Sequence, residues 1–135
     1  MSIPFYGGCR CGAVRYECSA EPYTVFFCHC LDCQKSTGGA FSVDVIVPRD
    51  SVIITGNMTS FKSTNDTNDE VTRKLCSECG SPVLNELHSH PTILALKASS
   101  LDDPSWLKPQ AHVWTIRKQP WVKINDDLPQ YERNM

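Results

Sequence analysis

The chain has no apolar run approaching membrane-spanning length, and its opening residues, MSIPFYGG, hold neither a basic stretch nor the apolar core of a secretory leader. No membrane partner and no export are therefore expected, and the cytoplasm is the expected compartment. Clustered positive charge is also missing. Thirteen Lys and Arg are scattered among fifteen Asp and Glu, for a net charge of −2, so no electrostatic surface for nucleic acid is expected. Internal repeats and low-complexity tracts are absent. At 135 residues, 41% hydrophobic and 21% charged, the chain suits one domain over 1–135 that buries roughly two-thirds of its unfolded surface.

Cysteine, in contrast, is abundant, with eight in the chain. Four disulfides would suit a small secreted protein, but nothing in this sequence points to secretion. Seven of the eight fall into C-x-C or C-x-x-C groups, the spacing of thiolate metal sites, and Cys18 stands alone. Cys18 shares one side of an alternating run with Val14 and Tyr16 and reads as a small buried hydrophobe.

The hydrophobic pattern predicts a mainly β chain with little helix. Alternation or short apolar runs mark strands at 13–18, 24–27, 41–47, 52–55, 71–75, 82–87, 92–98 and 112–116. One or two helical turns are expected over 31–37, stopped by Gly38-Gly39. The polar stretch 63–70 reads as an exposed hairpin loop.

Cys76-Ser77-Glu78-Cys79-Gly80 has the form of a zinc knuckle: two thiolates three residues apart, with glycine letting the backbone fold round the sulfurs. Cys9-Arg10-Cys11 reads as a strand or its end, on which Cys9 and Cys11, if extended, point to the same side; they are the obvious other half of a Cys₄ site, which would be closed and structural. The alternative is that one pair is simply buried thiols. Cys28, Cys30 and Cys33 form the third group. Three protein ligands leave a tetrahedral ion one open position, the mark of a catalytic site; alternatively a distant group such as His112 closes the shell. His29 lies between two of these cysteines, but on an extended segment it points away from them. His88 and His90 fall beside Pro91 in a predicted turn and read as exposed. Trp114 and Trp121 are candidates for a pocket or for the core.

Several segments together resemble the glutathione-dependent formaldehyde-activating enzyme family, whose domain is shared with centromere protein V. They are Gly7-Gly8-Cys9-Arg10-Cys11-Gly12, Cys28-His29-Cys30-Leu31-Asp32-Cys33, Gly38-Gly39-Ala40-Phe41, Arg73-Lys74-Leu75-Cys76-Ser77-Glu78-Cys79-Gly80, Leu101-Asp102-Asp103-Pro104, Pro109-Gln110-Ala111-His112-Val113-Trp114 and Pro120-Trp121. The resemblance implies curled, mostly antiparallel sheets of the Mss4-like type and two Zn²⁺ sites. In these, Cys9, Cys11, Cys76 and Cys79 are structural and Cys28, Cys30 and Cys33 catalytic. It also implies a carbon–sulfur lyase-like activity, the condensation of glutathione with formaldehyde, or a related aldehyde, to S-hydroxymethylglutathione.

Many family members carry a basic residue directly after the third catalytic cysteine, where this chain has Gln34 and then Lys35. Glutathione brings two carboxylates, so Lys35, Arg73 and Lys74 are the candidate binding residues. Two other readings are a zinc-stabilised module that binds a small thiol or a protein without turnover, and a methionine sulfoxide reductase. The latter needs a nucleophilic cysteine in its C-terminal part, and none follows Cys79.

Overall fold

A computed structural model describes residues 3–64 and 68–135. Among the described residues ten strands make two sheets. The smaller has the order β1 (Phe5–Gly8), β2 (Arg15–Cys18), β5 (Val52–Thr55), all antiparallel. The larger has the order β10 (Ala111–Val113), β3 (Thr24–Cys28), β4 (Ser42–Pro48), β9 (Ile93–Lys97), β8 (Pro82–Leu87), β7 (Glu70–Cys76), β6 (Met58–Thr64). It is antiparallel except where β10 joins β3 in parallel. The one α-helix among the described residues, α1 (Leu31–Thr37), stops where predicted, at Gly38 in the left-handed conformation (φ 72°). Asn65, Asp66 and Thr67 of the predicted hairpin loop lie outside the described residues. Among the described residues no helix is long and apolar enough to cross a membrane.

Strand alternation gives the large sheet two faces of different character. One row of cross-strand neighbours runs Val25, Val45, Leu96, Leu84. It packs on Phe5, Val14, Tyr16 and Cys18 from the small sheet's side of the chain. Val45, Leu96, Val14 and Cys18 are fully buried; each such valine or leucine is worth about 1.5–3 kcal/mol by transfer. This is the core, and Cys18 belongs to it as predicted.

The opposite face is unusual for a buried one. Its rows run Phe26, Asp44, Lys97 and Ile46, Ala95, Asn85, Arg73, Phe61. Both sides of β4 are therefore covered, and Ser42, Asp44 and Ile46 are buried, as Val45 and Val47 are on the other side. Polar side chains here line a trough, which α1, Trp114 and Asn134 border.

Two strands differ from expectation. The 112–116 segment leaves the sheet after Val113, because Trp114 takes a left-handed backbone (φ 58°) and a 3-10 turn, Thr115–Arg117, follows. The 9–11 segment is not extended: β1 ends at Gly8 and Arg10-Cys11 turns instead, which is how the two thiols come to converge without alternation.

Candidate metal and substrate site

The first cysteine group joins two turns far apart in sequence. The ligand atoms of Cys9, Cys11, Cys76 and Cys79 all lie within 4.8 Å of one another. Backbone amides point at the sulfurs: Val14 N donates to Cys9 Sγ at 3.2 Å, and Glu78 N and Cys79 N donate to Cys76 Sγ at 3.3 and 3.5 Å. Such donors favour thiolate over thiol. The Ser81 hydroxyl and amide bring Cys79 down to about 5, and the Val14 amide lowers Cys9. Cys11, despite the Ala13 amide, is pushed up to about 12 by Cys9 beside it. Four soft donors this close, some already inclined to ionise, fit a single tetrahedral cation.

The second group is built by the end of β3 and the start of α1. Cys28 closes the strand and Cys30 caps the helix, its Sγ accepting from Cys33 N at 3.3 Å. Cys33 sits on the first turn, and its thiol is held well below its ordinary range by hydrogen bonds from Cys28 and Cys30. The same contacts push Cys28 up. The three ligand atoms again lie within 4.8 Å of one another. Among the described residues this group stops at three.

His112 does not complete it. Its Nε2 is 2.9 Å from Asp126 Oδ2 and its Nδ1 is 2.9 Å from His29 Nε2, while Phe27 stacks on the ring at 4.6 Å. A carboxylate only accepts, so Nε2 of His112 carries the proton and Nδ1 receives one from His29. His29 points away from the sulfurs as predicted, but it is fully buried, and burial, with His112 and Lys118 nearby, lowers it to about 4. Its main chain is held too: His29 N donates to Val113 O at 3.0 Å, and Gln34 Nε2 donates to His29 O at 2.7 Å.

Gln34, where a basic residue was the expectation, also donates to Arg117 O and accepts from Gln119 Nε2 at 2.8 Å. It ties α1 to the chain beyond β10, and a lysine could not accept the last bond.

The three cysteines border an open cavity of about 700 Å³, counting solvent at its mouth. Of the three predicted binding cations, only Arg73 borders it. Arg73 donates to Ser36 Oγ at 3.1 Å and to the Asn85 amide oxygen at 3.2 Å. Lys74, its neighbour on β7, faces the other side of the sheet and pairs with Glu86 at 3.1 Å. Lys35 is exposed on α1 and does not border the cavity. Trp114 is buried and borders it, whereas Trp121 is 69% exposed and does not.

The trough also holds a buried ion pair that the sequence pattern did not reveal. Lys97 Nζ donates to Asp44 Oδ1 at 2.7 Å, and Asp44 borders the cavity. Burial pushes the Asp44 carboxyl up against the pull of Lys97. Burial also lowers Lys97, but Asp44 and Cys33 raise it overall. The alternation of β4 around Asp44 was the available signal.

Residues 4–117 match the family model of the glutathione-dependent formaldehyde-activating enzyme, most of the chain. The chain belongs to that family. A Halomonas elongata protein named provisionally as a glutathione-dependent formaldehyde-activating enzyme is 27% identical over 87% of this chain and 79% of its own. Relatives from Penicillium rubens and Talaromyces marneffei, named in the same provisional way, are 29% and 30% identical over 78% of this chain. The chain spans only 59% and 60% of those two fungal proteins. A crystal structure of a Rhodobacter sphaeroides protein shares the fold, with a TM-score of 0.56 and 16% identity over 93% of this chain and 98% of that one. Within the formaldehyde-activating enzyme family, then, this member brings together both cysteine groups and a cavity beside the second.

Proposed function

We propose that the chain, as a single zinc-binding domain over 1–135, condenses glutathione or a related small thiol with formaldehyde or a related small aldehyde. With the first of each the product is S-hydroxymethylglutathione, so the enzyme is of the carbon–sulfur lyase type. Cys9, Cys11, Cys76 and Cys79 would hold a structural Zn²⁺, and Cys28, Cys30 and Cys33 a catalytic one. The observation that carries the reading is ligand number: four converging thiols complete a tetrahedral shell, whereas three leave a position free, and these three border a cavity. When bound there, zinc supplies the positive charge that lowers the pKa of an incoming thiol.

The chain's own residues bind and orient. Arg73 is fixed by two neutral partners, Ser36 and Asn85, so its charge is available to a substrate carboxylate. Asp44 and Lys97 neutralise each other, so the trough does not repel an anionic thiol. Phe26, Val71 and Leu87 give the cavity apolar walls that limit water around the reacting atoms. In the addition the thiol sulfur bonds to the aldehyde carbon, and the proton it loses ends on the former carbonyl oxygen. No oxidant or reductant is required.

Exchange NMR between free glutathione and its formaldehyde adduct tests the proposal, with the uncatalysed rate measured in parallel. Faster exchange with protein, abolished in Cys28→Ser, is expected. Equal rates with and without protein would remove formaldehyde and glutathione as the substrates and favour a module that binds without turnover.

A further inference from the structure

The family match ends at residue 117, yet the cavity has a wall beyond it. The chain returns along the outer edge of β10. Pro129 O accepts from His112 N, Tyr131 N donates to His112 O, and Arg133 O accepts from Trp114 N, at 2.9, 2.9 and 3.0 Å. Thr115 N and Ile116 N add bonds to Tyr131 O and Glu132 O at 3.1 and 3.2 Å. These five bonds bring Asn134 to the cavity, where its Oδ1 accepts from Trp114 Nε1 at 2.9 Å. Trp114 in turn packs with Cys28, Cys33 and Val113. Asn134 is thereby held on the cysteine side of the trough, five strands across the sheet from Arg73 on β7.

We infer that Asn134 is a specificity-determining residue for the thiol, selecting a peptidic thiol over a simple alkyl thiol. An indole N–H is a donor only, so the atom bonded to it must be the amide oxygen, and that bond turns the oxygen towards Trp114 and fills one of its two acceptor sites. Both hydrogens of its Nδ2 remain to be donated to a bound molecule. A thiol whose sulfur sits at Cys28, Cys30 and Cys33 has its nearest polar groups within reach of this side of the cavity. The matching chemistry is an acceptor close to the sulfur, as in the amide carbonyls that flank the cysteinyl residue of a peptide. A bare alkyl thiol offers none. This inference rests on the proposed binding of thiol at the three cysteines.

The test compares glutathione with 2-mercaptoethanol on the zinc-loaded chain by calorimetry, without aldehyde, for the wild type, Asn134→Ala and Asn134→Asp. Aspartate keeps an oxygen for the Trp114 indole, whose N–H resonance reports that the wall is intact, but it deletes the donor. The wild type should prefer glutathione. Asn134→Ala should weaken glutathione about 3- to 10-fold, the range for one neutral hydrogen bond. Asn134→Asp should weaken it at least as much, and neither variant should move 2-mercaptoethanol more than about 2-fold. Glutathione binding by Asn134→Asp equal to the wild type's would overturn the inference and leave the thiol site standing. A wild type that binds 2-mercaptoethanol as well as glutathione would do the same. A wild type that binds neither thiol would overturn both.

Discussion

Replacing Lys97 with methionine tests how the trough tolerates charge. The Lys97 and Asp44 side chains are 4% and 8% exposed and meet at 2.7 Å. With the ammonium gone, the hydrogen bond Asp44 keeps among the described residues is that from the Ser42 hydroxyl, at 3.4 Å from each carboxylate oxygen, and Arg73 acts on it only at longer range. Breaking a buried pair from one side costs about 3–5 kcal/mol, because the remaining charge is neither solvated nor paired. Against a total stability of about 5–15 kcal/mol this is a large share. At about 3–4 °C per kcal/mol for a chain of this size, the melting temperature should fall by roughly 10–20 °C. Removing both charges, as in Asp44→Leu with Lys97→Met, should recover most of the loss, since apolar groups of similar volume replace buried pairs at little cost. Urea unfolding of the wild type, both single variants and the double variant closes the cycle. A loss below about 1 kcal/mol in Lys97→Met, or a double variant as unstable as the sum of the singles, would refute the reasoning.

Three further outcomes are expected. Burial raises the Tyr16 phenol above its ordinary range, with Ser100 at 2.7 Å pulling it partly back. The unfolded phenol ionises near pH 10 and the folded one later, so this stabilisation is present below about pH 10 and is lost at about 1.4 kcal/mol per unit above it. Urea midpoints of wild type and Tyr16→Phe, measured between pH 9 and 11, should show the wild type losing its advantage. Elemental mass spectrometry should find two zinc ions per wild-type chain and one in Cys28→Ser, which should keep its melting temperature within a few degrees. In Cys79→Ser the loss of a zinc should coincide with a large fall in melting temperature. Gln34→Lys, although it introduces a basic residue directly after the third cysteine, should destabilise by about 1–2 kcal/mol through the bonds to His29, Arg117 and Gln119 and should not tighten glutathione in calorimetry.

The sequence was most informative where chemistry is local. Spacing marked three groups among the seven cysteines, and completing a four-ligand shell joined Cys9 and Cys11 to Cys76 and Cys79, the sulfurs that the structure brings together; Gly38 marked the end of α1. Arg73 and Lys74 show a signal that was present but unused: adjacent residues on a strand face opposite ways, so at most one of them reaches the trough. Asp44 was visible as a polar position on β4, but its burial depends on α1 and the return of the chain covering the second face. Asn134 and Asp126 had no local pattern. Their positions follow from backbone pairing with β10 and from His112, and both contacts span sequence that carries no periodicity. Trp114 misled for the opposite reason, since an aromatic flanked by Val113, Thr115 and Ile116 reads as strand until its left-handed backbone is known.

The four-thiol cluster has a consequence for how the protein lives in a cell. Cys9 and Cys11 lie on one turn and Cys76 and Cys79 on another, and neither turn alone presents more than two sulfurs. An ion that needs all four therefore binds the folded chain and has little to hold in the unfolded one. By mass action, free metal at one hundred times its dissociation constant adds about 2.7 kcal/mol to the folding free energy, and depletion withdraws it. With an ion held there as proposed, the abundance of the folded protein would become a function of metal supply. Starvation for the ion would clear the polypeptide by unfolding as well as silencing its cavity, and repletion would restore both together.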